Sequence, residues 1–332
     1  MAFGLISEST VSTFVIARGG EARGPELDIK DSSHSLIAKE HTRKSKYIYK
    51  MPLTEALYLD NGSLYTTTTQ IISTLPLSSL TDDEKRLARN IPLEDTFAIT
   101  TKSTVFYPQG GGQPSDTGVI LPKPNDDVED GHSNGVFEVL LVRKTPDGTI
   151  LHFGRFTTGG STVIPPPFPA DLGVSLRING PKRIYYSRLH TAGHILGLAM
   201  RLLLPTLGVK KNVKANHFPG EAALEYEGLL YNEHKLTIQE KVDEIVKMGL
   251  PVRITYWDEE EAERRREELD MVEGMELGGM GRVRIAEIGG LDACPCGGTH
   301  VDGTGEVGAV KIRKISRNKG VSKISYEVEE LI

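Results

Sequence analysis

Residues 183–208 read RIYYSRLHTAGHILGLAMRLLLPTLG. From Arg183 to Leu204 apolar side chains recur at helical spacing, and Pro205 and Gly208 follow as stop signals. This stretch decides the fold through what it separates. Upstream, the sequence predicts strands. Ala56 to Ser73, ALYLDNGSLYTTTTQIIS, sets Asn61-Gly62 between β-rich flanks, a hairpin signal. Strands are expected over Thr96–Phe106, Gly118–Leu121, Val136–Arg143 and Ile150–Phe156. A short charged helix is expected near Asp82–Arg89. Loops rich in polar residues, Pro and Gly cover 125–135 and 157–172.

Downstream the pattern mixes strands with helices. Strands are expected at Ala222–Tyr231, Val252–Tyr256, Val283–Ile288, Val307–Lys314 and Val321–Val328. Helices are expected at Thr237–Lys247 and, highly charged, at Asp258–Met271. The reading is an α+β protein in three parts. Residues 1–46 form a flexible N-terminal segment, its polar stretch 17–46 reading as a linker. Residues 47–178 form a small β-barrel. Residues 179–332 form an α+β domain with an antiparallel sheet.

The 332 residues fit two domains. Acidic residues outnumber basic ones, 45 to 39, for a net charge of −6. That excludes a basic whole-protein nucleic-acid binder and leaves room for a local basic patch. The longest apolar run, Ile195–Leu204, is interrupted by Arg201 and falls short of the ~18 residues of a membrane span. The first residues lack the basic start of a secretory signal. Cys294 and Cys296, flanking one proline, make no disulfide framework. A reducing cytoplasm is expected; the Ser/Thr-rich start with Arg18 leaves mitochondrial import as the alternative.

His190 and His194 stand four apart, so both imidazoles project from one helix face and can share a metal ion. Position 191 is Thr, so this is not the HExxH pattern of a zinc peptidase. Near the C-terminus stands CPCGGTHV, residues 294–301, in which Cys296 and His300 are again four apart. Gly297-Gly298 between them permits a tight turn with positive φ. Three histidines and a thiolate make a tetrahedral zinc set. Cys294 is the alternative thiol; the Gly-Gly turn favours Cys296. Four protein ligands describe a closed site, so the sequence leaves open whether zinc is catalytic or structural.

HTAGHIL, CPCGGTHV, TVFYPQGGGQPSDTG (residues 104–118) and ANHFPGEAALEYEG together resemble the editing domain of alanyl- and threonyl-tRNA synthetases and its freestanding relatives. The similarity covers roughly residues 50–328. The resemblance implies a β-barrel before a zinc-containing editing domain. His190, His194, Cys296 and His300 match its zinc ligands. It implies a freestanding, monomeric trans-editing hydrolase that guards translation fidelity without ATP. Its substrate would be mischarged tRNA(Ala), carrying serine or glycine. The competing reading is a non-catalytic, zinc-stabilised tRNA-binding module.

Under this resemblance Thr104 and Gln113 are candidates to recognise the serine hydroxyl. The amides of Gly297, Gly298 and Thr299 are candidates for the oxyanion. Gly193 stands where a Thr is frequent, which is expected to open space in the pocket. His217 is a candidate base or structural hydrogen-bonder. Lys210, Lys211 and Lys214, with Lys311, Arg313, Lys314 and Arg317 in an acid-free run from Ala309 to Ile324, are expected to grip the acceptor stem.

Overall fold

In a computed structural model of the protein, residues 54–89, 91–92, 94–123, 135–157, 167–265 and 282–330 are described. The linker expected over 17–46 and most of the two loops lie outside them. Tyr49–Ile332 form one compact unit.

The chain enters through β1 (Glu55–Ala56), β2 (Thr66–Pro76), α1 (Asp82–Leu87), β3 (Phe97–Thr101), β4 (Ser103–Thr104) and β5 (Gly118–Pro122). Next come β6 (Val136–Lys144), β7 (Ile150–Thr157) and β8 (Gly173–Ile178). Six of these strands close a barrel in the order β2-β3-β7-β6-β5-β8, every neighbour antiparallel. Closure leaves no unpaired edge and wraps Ile71, Ile99, Phe106, Phe137, Phe156 and Leu176 into one core. Phe156 meets Phe137 and Phe168 edge-on, each at 5.0 Å between ring centres.

The hairpin expected around Asn61-Gly62 does not form. Leu57–Leu59 is a 3-10 turn, and β1 pairs in parallel with β4 instead. Tyr58 is buried in the barrel core with Leu57 and Leu59 packed beside it, so burial overrides the strand tendency of this flank.

The second half runs through α2 (Gly180–Leu207), β9 (Asn212–Asn216), β10 (Ala223–Glu227), α3 (His234–Lys247), β11 (Val252–Asp258) and α4 (Glu259–Arg264). It ends with β12 (Arg282–Ile288), β13 (Asp292–Pro295), β14 (Val310–Asn318) and β15 (Val321–Val328). Two antiparallel sheets result, β14-β15-β10-β9 and β11-β12-β13. Leu189, Ile195, Leu196 and Leu198 of α2 share a core with Ile238 and Val242 of α3 and with Ile312, Ile324 and Tyr326 of the larger sheet. The charged helix expected to Met271 is α4 as far as Arg264; residues 266–281 lie outside the described ones.

Helix α2 starts where Asn179 caps the amide of Lys182 and Pro181 occupies the first turn. It does not stop at Leu204. Pro205 sits in the last turn, where its missing N–H costs one bond, and the helix ends at Gly208 with φ 67°. Two buried arginines fix its position. The Arg183 guanidinium pairs with buried Asp116 and donates to the carbonyls of Gly62 and Val105, all from the barrel side. Arg188 donates to the carbonyls of Val307 and Glu329 at the other end of the chain. The helix that carries both histidines is thereby tied to both halves. Among the described residues no helix is long and apolar enough to cross a membrane.

Candidate metal centre

His190 and His194 lie one turn apart on α2. Cys296 follows β13, and His300 lies four residues further on. One ligand atom from each falls within 4.8 Å of the others. The Nε2 atoms of His190 and His300 lie 3.4 and 3.3 Å from the Cys296 Sγ. Two ligands on one tetrahedral zinc stand about 3.5 Å apart, given the usual metal–ligand lengths. The four residues therefore fit such an ion in spacing and in donor type. His190 is buried, and the other three are partly exposed, so the group reaches the surface on one side.

The surrounding residues set which ring nitrogens are available. Gln113, fully buried, accepts a hydrogen bond from His190 Nδ1 at 2.7 Å. Its Oε1 also accepts the Thr299 amide, and its Nε2 donates to Thr299 Oγ1. Ser187 completes this network at 2.7 Å from Thr299 Oγ1. His300 Nδ1 donates to Thr191 Oγ1, which also accepts the Val301 amide. With both Nδ1 atoms occupied, His190 and His300 turn bare Nε2 atoms toward Cys296. Thr191, at the position where a zinc peptidase carries its base, instead orients His300.

Burial holds these rings neutral. His190 and His300 lie well below the ordinary histidine range, burial first and neighbouring histidines and Arg284 after it. Burial, helped by Arg284, lowers His194 to about 4. The Cys296 thiol is pushed up by burial, opposed by the Gly298 amide at 3.3 Å and by Arg284. Three neutral imidazoles are what a metal ion needs; its charge would then favour the thiolate. Arg284 itself is a staple, donating to the carbonyls of Cys296 and Leu59.

Several expectations change here. Neither Gly297 nor Gly298 has positive φ. Gly298 is required by close approach: a Cβ there would lie 2.1 Å from His190 Cε1. Of the three amides considered for an oxyanion, Gly298 donates to Cys296 Sγ and Thr299 to Gln113, while Gly297 is an exposed residue. Gly193 does not open the pocket, because His217 and Tyr326 fill the volume beside it. The Thr104 hydroxyl is engaged inside the barrel, bonded to His152 Nε2 at 2.7 Å and accepting the Phe106 amide. Gly111 and Gly112, both at positive φ, make a tight turn that delivers Gln113 to the metal group.

The basic residues gather on and beside the larger sheet, and strand pairing brings them acids that the local sequence did not show. Lys311 and Arg313 reach Glu327 at 3.5 and 3.2 Å, and Lys210 reaches Glu227 at 2.8 Å. Lys214 stands opposite Glu225, and Lys314 opposite Ser325. Arg317 lies over the Tyr231 ring, 4.8 Å from its centre. Exposed Lys211 leaves the chain just before β9. The net positive charge of this face is therefore smaller than the run from 309 to 324 suggests.

Residues 283–325 match the family described as the threonyl and alanyl tRNA synthetase second additional domain. The chain is similar to the alanine–tRNA ligases of Methanothermobacter thermautotrophicus and Methanopyrus kandleri, at 28% identity to each. These alignments cover 92% and 93% of this chain, and 30% and 31% of the ligases. It is also similar to the alanyl-tRNA editing protein AlaX-L of Pyrococcus horikoshii, 31% identical over 70% of this chain and 52% of that one. The chain thus spans about a third of those ligases and about half of that editing protein.

Proposed function

We infer that this chain, which carries an editing domain of the alanyl-tRNA kind, hydrolyses the ester joining a wrong amino acid, serine or glycine, to tRNA(Ala). The observation that carries the reading is the convergence of His190, His194, Cys296 and His300. Two segments about a hundred residues apart supply it.

In this reading the four residues hold Zn2+. The ion, when bound, would supply Lewis acidity next to the ester carbonyl. The chain's own groups do the rest. Gln113, Thr299 and Ser187 hold His190 in one tautomer and one orientation. Thr191 does the same for His300. Gly297, exposed in the turn between Cys296 and His300, offers the amide proposed for the developing oxyanion. Serine is favoured over alanine because alanine leaves a polar group of the pocket without the hydroxyl it would bond. The basic residues of the larger sheet and of β9 hold the acceptor end. The proposed compartment is the cytoplasm, whose reducing state keeps both cysteines as thiols.

The test is to charge tRNA(Ala) separately with serine, glycine and alanine and to follow ester loss on adding the full chain. Release of serine or glycine with alanine spared is the expected result. Stable esters in all three, with tRNA retained, would overturn the enzyme reading in favour of the zinc-stabilised binding module.

A further inference from the structure

His217 is used by neither the ligand set nor the network around Gln113. It is nevertheless buried at 3% exposure, directly against the metal group. Its ring stacks on the ring of His190, with centres 4.2 Å apart and planes 21° apart. Its amide donates to the carbonyl of Gly112, so it is fastened to the turn that delivers Gln113. Its Nδ1 lies 2.6 Å from the Tyr326 hydroxyl, which lies 3.2 Å from the carbonyl of Leu189. The phenol has one proton. If that proton goes to Leu189, then His217 Nδ1–H donates to the phenol oxygen, and the chain runs imidazole to phenol to carbonyl. It ends on the residue that immediately precedes His190.

Gly193 supplies the room for this arrangement. A Cβ at 193 would lie 2.4 Å from His217 Cε1 and 2.6 Å from the Tyr326 hydroxyl. Those contacts involve a buried ring and a buried phenol, neither a flexible chain end, so a larger residue at 193 displaces one of them. His190 is then held by Gln113 at Nδ1 and by His217 across its face, and the missing Cβ of Gly298 leaves room for its Cε1 edge.

We propose that His217, anchored by Tyr326 and admitted by Gly193, is a positioning residue that locks the ring of His190 in place for metal binding. The proposal rests on reading the four converging residues as a metal group. It explains why this chain carries Gly at 193: the position accommodates a stacking partner for a ligand.

The test measures zinc affinity of the full chain by competition with a chromophoric chelator, together with the absorption bands of the Co2+-substituted protein. Wild type, Gly193→Ala, His217→Ala and Tyr326→Phe are compared. Supporting residues of metal ligands change affinity about 10- to 100-fold. That range is expected for Gly193→Ala and His217→Ala. For Tyr326→Phe, which removes one hydrogen bond, about 3- to 10-fold is expected. The cobalt bands should shift in all three. Gly193→Ala risks misfolding, so Tyr326→Phe, which keeps the ring, serves as the second variant; circular dichroism of the metal-free proteins identifies any that are unfolded. Wild-type zinc affinity and unshifted cobalt bands in folded His217→Ala and Tyr326→Phe would overturn the positioning role. A wild-type protein that binds no zinc would instead overturn the metal reading on which it stands.

Discussion

The molecule buries histidine in two places with opposite results. In the barrel, His152 is fully enclosed, edge-on to Phe106 at 5.3 Å. Its Nδ1 donates to the carbonyl of Ile99, and its Nε2 accepts from Thr104. Beside α2, His190 and His300 also have Nδ1 occupied, but their Nε2 atoms face the same sulfur. Burial holds all of them neutral, so a depressed pKa does not distinguish a structural histidine from a ligand. The difference lies in the second nitrogen. One environment satisfies it within the protein. The other directs it, with its neighbours, to a shared point.

The largest expected effect separates the two directly. His190→Ala should lose stoichiometric zinc and, with it, deacylation. His152→Gln should keep its zinc and lose only stability, about 1–3 kcal/mol for poorly replaced buried hydrogen bonds. Metal content after gel filtration into metal-free buffer decides this. Equal zinc loss in both variants would mean that the barrel histidine belongs to the metal system.

The second effect is pH dependence in the barrel. Burial lowers His152 from 6.5 to about 4, with the Ile99 bond partly opposing. A histidine depressed in the folded state binds its proton more readily when unfolded. Its contribution is fully present above about pH 6.5 and is lost as pH falls toward 4. One pKa unit corresponds to about 1.4 kcal/mol, so roughly 3 kcal/mol is at stake. Urea unfolding of metal-free wild type and His152→Gln from pH 7 to pH 4 should show wild type losing the larger share. Parallel curves would mean that His152 does not titrate across unfolding.

These environments were unequally legible in the sequence. Helical spacing places His190 and His194 on one face of α2, and the Cys-Gly-Gly-Thr-His run offers the other two members of the group that could hold a metal. What escaped was everything that depends on chain segments meeting. His217 is legible as a candidate base or structural hydrogen-bonder, but its stacking on His190 is not. It directly follows β9, whose sequence NVKAN has too few apolar residues to announce a strand; pairing with β10 makes it one. Thr191 read as the absence of a base, because its bond to His300 spans 109 positions. Asn61-Gly62 read as a hairpin because the local signal is real. The partners of β2 are β3 and β8, which local pattern cannot name. Gly193 read as added space because a sequence shows what is missing from a side chain, not what fills the vacancy.

The smallest expected effect concerns charge on the sheet face, where the sequence showed bases and the fold supplies acids. Glu327 takes both Lys311 and Arg313, each pair substantially exposed. Such pairs contribute about 0–1 kcal/mol to stability, so Glu327→Gln should leave the melting temperature nearly unchanged. Its effect should appear in RNA binding. Two cations released from one carboxylate are free to displace counterions from phosphate, and each new phosphate contact steepens the dependence of log affinity on log salt by about 0.7–0.9. Filter binding of uncharged tRNA from 50 to 200 mM salt should therefore show a modest affinity gain at the low end and a steeper slope. An unchanged slope would take Lys311 and Arg313 out of the RNA-facing surface and leave that role to the lysines on and before β9.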